Sequence, residues 1–398
     1  MLKYFIVLFA LNFGHDFKRI SSLAWPSPAA SLSRIAKVLN FFPVPVSDEC
    51  LASDGRRTGV CLNAYECRIQ SGNPMGQCAL GFGVCCVFIA SCDAEISNNV
   101  TYFVSPEFPG LTKTAQPCSI KVKKIAPEIS QIRLDFVHFN LAQPNRRTGV
   151  CESDIFSILG GTSIGLKLCG QNSGQHIYYD VESATEPISI LMNLTSNNLY
   201  RMWEIRISQI VFNQQAPAGC TQYHHGINGV IQTMNYAVNG RHLADQDYLV
   251  CMRQEHNMCS IVYEPCDENS FRIGPPVAGL LADDPGGSGD GPFPPILASP
   301  AQTYTSRPNG LDQTRQCNDR VLMPCDSEEF LNPAGGPSSC DLLHCGNTFC
   351  TAGEYPCRIE SSIRPFNIRI QFGPGVQNEN PDDNLGMCLK YQQQPCTT

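Results

Sequence analysis

Twenty-two cysteines in 398 residues fall into three groups of different spacing, and this constrains the chain more than any other feature. The count is even and an apolar N-terminal run precedes the groups, a pattern that predicts disulfides formed in an oxidising compartment. A chain of this kind is expected to be all-β: a disulfide-rich, loop-rich array of small domains, secreted and extracellular.

The N-terminus carries Lys3 and then the apolar run Phe5 to Phe13, about the length of a signal-peptide core. A membrane helix needs about twenty apolar residues, and His15, Asp16, Lys18 and Arg19 end this run too early. Residues 1–24 are therefore expected to be a signal peptide, cleaved near Gly14 or after Ala24, with no membrane span. Residues 25–48 form a leader without cysteine, in which Leu32, Ile35, Ala36 and Leu39 share helical spacing. The net charge is −8 and only 16 % of residues are charged, without a basic stripe, so a nucleic-acid partner is not expected. Asn99-Val-Thr and Asn193-Leu-Thr are glycan acceptor triplets, which predicts a glycoprotein.

The first group, Cys50, Cys61, Cys67, Cys78, Cys85 and Cys86, lies within residues 49–90. So short a segment has little apolar area for a core of its own, and bridges must restrict its unfolded chain instead. Spacing alone permits fifteen pairings. The pattern, closing on an adjacent pair, resembles the clip domain of arthropod secreted proteins. That resemblance implies the bridges Cys50–Cys85, Cys61–Cys78 and Cys67–Cys86.

The second group is sparser: Cys92, Cys118, Cys151 and Cys169. Around these cysteines the chain alternates. Ile132, Leu134 and Phe136 interleave with Arg133 and Asp135, and Ile188, Ile190, Met192 and Leu194 define one apolar face. Trp203, Ile205 and Ile207 interleave with Glu204, Arg206 and Ser208. Short period-two runs with hardly any helical periodicity predict an antiparallel β-sandwich. Residues 91–215 resemble a CUB domain in four places: Cys92, the turn Ser105-Pro106-Glu-Phe108-Pro109, Leu134-Asp135-Phe136, and Cys151 followed by Asp154 and Cys169-Gly170. The whole chain resembles arthropod secreted CUB-domain proteins. The resemblance implies bridges 92–118 and 151–169. It also implies a calcium site built on three acidic residues, of which only Asp154 stands here. The segments 142–145 and 195–198 lack the other carboxylates, and calcium needs several oxygen ligands. Asp154, a remnant of that site, is expected to cap a turn, with no metal bound and no cofactor.

The third region, residues 216–398, holds twelve cysteines. Strands are expected around Cys251, at Cys259 to Tyr263 and at Phe366 to Phe372. Cys317 with Asp319, and Cys345-Gly346, echo Cys151 with Asp154, and Cys169-Gly170. This predicts a second, divergent CUB-like sandwich, with local bridges 259–266, 325–340, 350–357 and 388–396. Residues 275–315, rich in proline and glycine, interrupt it as an extended insertion.

No catalytic pattern survives inspection. Ser288, in Gly286-Gly-Ser288-Gly-Asp290, lacks a histidine base in a rigid scaffold, so the chain is not expected to be an enzyme. His224-His225 and His344-Cys345 lack zinc-ligand spacing and are expected to be exposed or hydrogen-bonded histidines. The hexapeptide Arg-Arg-Thr-Gly-Val-Cys, at 56–61 and again at 146–151, is expected to form a polar turn leading into a strand cysteine. The expected function is binding or adhesion through loops on rigid sandwiches, with an extracellular protein or glycan as partner. The alternative is a non-catalytic cofactor or regulator of an extracellular serine-protease cascade, suggested by the clip-like segment.

Overall fold

The computed structural model describes residues 49–161, 166–236, 240–275, 317–324, 343–350, 357–375 and 381–396. The expected signal peptide and leader, Cys325, Cys340 and all but the first residue of the expected insertion lie outside these. The chain divides between Val87 and Phe88 into two compact units.

The first unit contains β1 (Glu49–Leu51), β2 (Thr58–Leu62), one six-residue helix, α1 (Ala64–Ile69), β3 (Asn73–Cys78) and the start of β4 (Gly83–Ala90). β2 lies between β1 and β4, and β3 pairs with the other edge of β4. Cys85 and Cys86 are adjacent on a strand and so face opposite sides of the sheet. Each side is then sewn separately: Cys85 to Cys50, and Cys86 to Cys67 on α1, with Cys61–Cys78 joining β2 to β3. The packing is tight enough that a Cβ on Gly59 would meet the Cys86 carbonyl oxygen at 2.4 Å. The helix escaped the sequence reading because it is too short for periodicity. Asn63 starts it, its side chain accepting from Tyr65 N and Glu66 N.

The second unit opens with a sandwich of nine strands: β5 (Ala94–Ile96), β6 (Thr101–Val104), β7 (Cys118–Val122), β8 (Ile129–Asn140), β9 (Asp154–Leu159), β10 (Lys167–Leu168), β11 (His176–Asp180), β12 (Ile188–Leu194) and β13 (Met202–Val211). One sheet runs β6-β13-β8-β11, with Phe88–Ala90 of β4 pairing parallel to β6; the facing sheet runs β10-β9-β12-β7-β5. The alternating residues on β8, β12 and β13 send their apolar side chains between the sheets. There Phe136, Phe139 and Phe156 pack with ring centroids 4.7–5.6 Å apart, and Trp203 lies 5.8 Å from Phe103. Full burial of side chains this large contributes about 1.5–3 kcal/mol each. Cys92–Cys118 and Cys151–Cys169 bond.

A second sandwich follows, of β14 (Cys220–His224), β15 (Asn228–Gln232), β16 (Gln246–Met252), β17 (Met258–Pro265), β18 (Phe271–Arg272), β19 (Arg320–Leu322), β20 (Leu343–His344), β21 (Ile359–Ser361), β22 (Asn367–Phe372) and β23 (Gly386–Pro395). Its sheets are β14-β16-β22-β19-β20 and β15-β23-β17-β21, with β18 also on β23. Bridges 220–251 and 317–345 are placed like the two bridges of the first sandwich, and Gly346, like Gly170, adopts a left-handed φ.

Two of the expected local bridges are wrong. Cys259 bonds Cys396, and Cys266 bonds Cys388. Cys259 and Cys266 stand seven residues apart along the extended β17, about 23 Å, far beyond disulfide reach. β17 and β23 are antiparallel neighbours, with Met258 opposite Pro395 and Pro265 opposite Leu389. Each cysteine therefore faces a partner across the ladder. Cys350–Cys357 is local, as expected.

Candidate functional site

Asp154 opens β9, and its side chain is fully buried. It does not cap a turn, contrary to expectation. Arg201, also at 0 % exposure, grips it with two hydrogen bonds: Nε donates to Oδ2 at 2.7 Å and Nη2 to Oδ1 at 2.8 Å. Ala142 N donates to Oδ2 as well. The guanidinium also donates to the carbonyls of Ser196 and Leu199, at 2.6 and 3.2 Å. Both carboxylate oxygens are thus engaged and a cation already lies against them. The residues do not fit calcium, which needs free anionic oxygens. A buried pair this well hydrogen-bonded holds three loops in register.

The other concentration of chemistry lies where the two sandwiches meet. Gly174, at φ +85°, turns the chain into β11, which begins at His176; β14 ends at His224. The Tyr223 N–H donates to His176 Nε2 at 3.1 Å, and the Tyr223 carbonyl lies 3.0 Å from the same nitrogen. The His176 and His224 rings stand 5.0 Å apart, and His225 packs on Tyr223 at 4.7 Å. Burial holds both His176 and His224 down to about 4; Arg133 adds to the effect on His176, and the His176 ring and Arg133 add to it on His224. Both are neutral at physiological pH.

Beside these rings is a cleft of about 160 Å³. Ser173, Gln175 and His176 of the first sandwich line it, with Gln222, His224 and Gln232 of the second. Gln175 Nε2 donates to the Thr233 carbonyl at 3.1 Å, which leaves its Oε1 to accept from Gln222 Nε2 at 3.1 Å. Nearby, the backbone of Gly170 lies so close to Asn235 that a Cβ there would come within 2.1 Å of Oδ1, and Gln171 N donates to that oxygen. The junction is therefore built largely from neutral hydrogen bonds.

The other expected sites are dispersed. His344 is buried, its Nδ1 3.1 Å from the Phe349 carbonyl. Both hexapeptides form turns that begin at an acceptor side chain: Asp54 Oδ1 takes Arg56 N and Arg57 N, and Asn145 Oδ1 takes Arg147 N and Thr148 N. Only the first leads into a strand cysteine, Cys61; Cys151 precedes β9. Asn99 exchanges two hydrogen bonds of 2.9 Å with the Gln209 backbone, whereas Asn193 sits on the outward side of β12. Sequence reasoning missed Arg201 and the cleft glutamines. Glutamine spacing carries no chemical signature, and an arginine 47 residues from its aspartate shows no pattern.

A family model described as a CUB domain matches residues 92–207, and one described as an animal CUB domain matches residues 217–394. The chain contains two CUB domains, a class of module that is typically extracellular, protein-binding and non-catalytic. Solved structures that the chain resembles include the CUB1-EGF-CUB2 domains of rat MASP-1, at 11 % identity and TM-score 0.25, with 76 % of this chain and 100 % of that one covered. The CUB1-EGF-CUB2 domain of human MASP-1/3 aligns at 13 % identity and TM-score 0.24, covering 75 % and 100 %. The full extracellular region of zebrafish Gpr126/Adgrg6 aligns at 12 % identity and TM-score 0.25, covering 75 % of this chain and 36 % of that one. No curated protein matches the chain in sequence.

Proposed function

We propose that the chain is a secreted, non-enzymatic binding protein whose CUB domains engage an extracellular protein or glycan. The observation that carries this reading is the joining of two CUB domains into one compact unit, which presents two sets of loops in fixed relation. Rigid presentation lowers the entropic cost of binding. No helix among the described residues is long and apolar enough to cross a membrane. Residues 1–24 act as the secretion signal and Asn193 carries the glycan in this reading. Affinity purification from extracellular fluid on immobilised chain, with mass spectrometry, tests it. A partner retained by the chain and released when loops of either CUB domain are exchanged supports binding; retention of nothing contradicts it.

A second reading, a non-catalytic regulator of an extracellular serine-protease cascade, draws on the three bridges of residues 49–90. Their clip-like character and an arthropod source belong to that proposal. Retention of a protease zymogen by the chain, lost when residues 49–87 are deleted, distinguishes it from the first.

A further inference from the structure

We propose that the cleft between the two CUB domains binds a neutral sugar residue, a single pyranose unit of a glycan or glycoside. The inference rests on the reading of the chain as an extracellular binding protein, and assigns a ligand class to one of its surfaces.

Size sets the first limit. A cavity of about 150 Å³ accommodates benzene, so the 160 Å³ here suits one six-membered ring. Chemistry sets the second. Among the described residues, no Asp, Glu, Lys or Arg lines the cleft, so none of these offers a full charge to a phosphate, carboxylate or ammonium group. The lining instead offers amides, a hydroxyl and imidazoles kept neutral by burial, groups that between them give and accept hydrogen bonds. Sugar hydroxyls do both and carry no charge.

Orientation supplies the third argument. Because Gln175 Nε2 is committed to the Thr233 carbonyl, Gln175 Oε1 must receive a donor, and Gln222 Nε2 provides it. This fixes the Gln222 amide with its oxygen unused. Gln222 is 2 % exposed, and its Oε1 has no partner among the described residues; nor has His224 Nε2. Buried polar atoms left without partners lower stability, and both residues form the wall of the cleft. Both atoms are closed off from solvent, so a hydroxyl-rich guest meets them once the Gln222 and His224 side chains turn towards the cleft. Each CUB domain contributes part of the lining, so the site exists only where the two are joined.

Saturation-transfer NMR and calorimetry on the full chain test the proposal, with methyl glycosides of glucose, galactose, mannose and N-acetylglucosamine. Glucuronate and glucosamine serve as charged counterparts. Saturable binding of at least one neutral glycoside is expected, weakened tenfold or more by Gln222→Leu. Val230, on β15 and 49 % exposed, also lines the cleft. Val230→Trp should fill the cleft and remove binding without disturbing either core. No saturable binding of a neutral glycoside overturns the proposal, as does preference for a charged sugar or binding indifferent to Val230→Trp. Retention of a protein partner while all sugars fail would sink the sugar site and leave the binding reading intact.

Discussion

Acidification should loosen the junction between the CUB domains through His176 and His224. Each is held down to about 4 from 6.5, with burial as the main cause. The charged groups facing His176 are Arg133 and His225, which oppose its proton, and Asp135, which favours it along with the Tyr223 carbonyl. His224 faces His176, Arg133 and His225. A histidine whose pKa is depressed in the folded state contributes stability that is fully present above pH 6.5. That stability is lost as the pH falls from 6.5 towards 4, because the unfolded or opened form takes up the proton first. At pH 5 the loss is about 2 kcal/mol for each ring, a figure that already contains the repulsion from its charged neighbours. At about 2–4 °C per kcal/mol, the roughly 4 kcal/mol from the two rings should lower the midpoint by about 8–16 °C between pH 7.5 and pH 5. The assay is a thermal melt of the wild type and of a His176→Gln/His224→Gln variant at both values. The variant should keep only the part of the drop that comes from other groups. An equal drop in both proteins would refute the reasoning.

Arg201→Met strands the buried Asp154 carboxylate and should destabilise the chain by about 3–5 kcal/mol in urea unfolding. Adding Asp154→Leu to that variant should restore much of the loss. Millimolar calcium should leave the wild-type melting temperature unchanged, because Arg201 occupies both Asp154 oxygens. An upward shift that Asp154→Ala abolishes would contradict this. A protease site engineered between residues 276 and 316 should yield two pieces that stay together on a non-reducing denaturing gel, through Cys259–Cys396 and Cys266–Cys388. Reduction should separate them.

The sandwiches were legible where one face of a strand is buried and the other is not. Trp203, Ile205 and Ile207 on β13 are fully buried, and between them Arg206 reaches outward to Asp135. Two CUB domains were also legible from cysteine order together with local turns. What escaped depends on distance along the chain. The ladder bridges of β17 and β23 join residues 137 and 122 apart, and no local rule favours them over 259–266. Asp154 stands out in the sequence, but its role is decided by Arg201, which lies one residue ahead of β13, the last strand of the domain. The cleft exists only because two domains meet, and single-domain patterns carry no record of that meeting.

The nested bridges of the second sandwich shape how the protein is made. In the secreted protein proposed above, Cys259 and Cys266 enter the oxidising compartment during synthesis more than a hundred residues ahead of Cys388 and Cys396. Throughout that delay each has the other as its nearest thiol, and joining them closes only a short loop, which is entropically easy. Such a premature bridge would bend the segment that must become β17 and keep β23 from inserting between β15 and β17. Release requires attack by another thiolate, an exchange that takes seconds to hours without help. Yield of native protein should therefore follow the supply of isomerase and reduced glutathione, even where the oxidising power is ample.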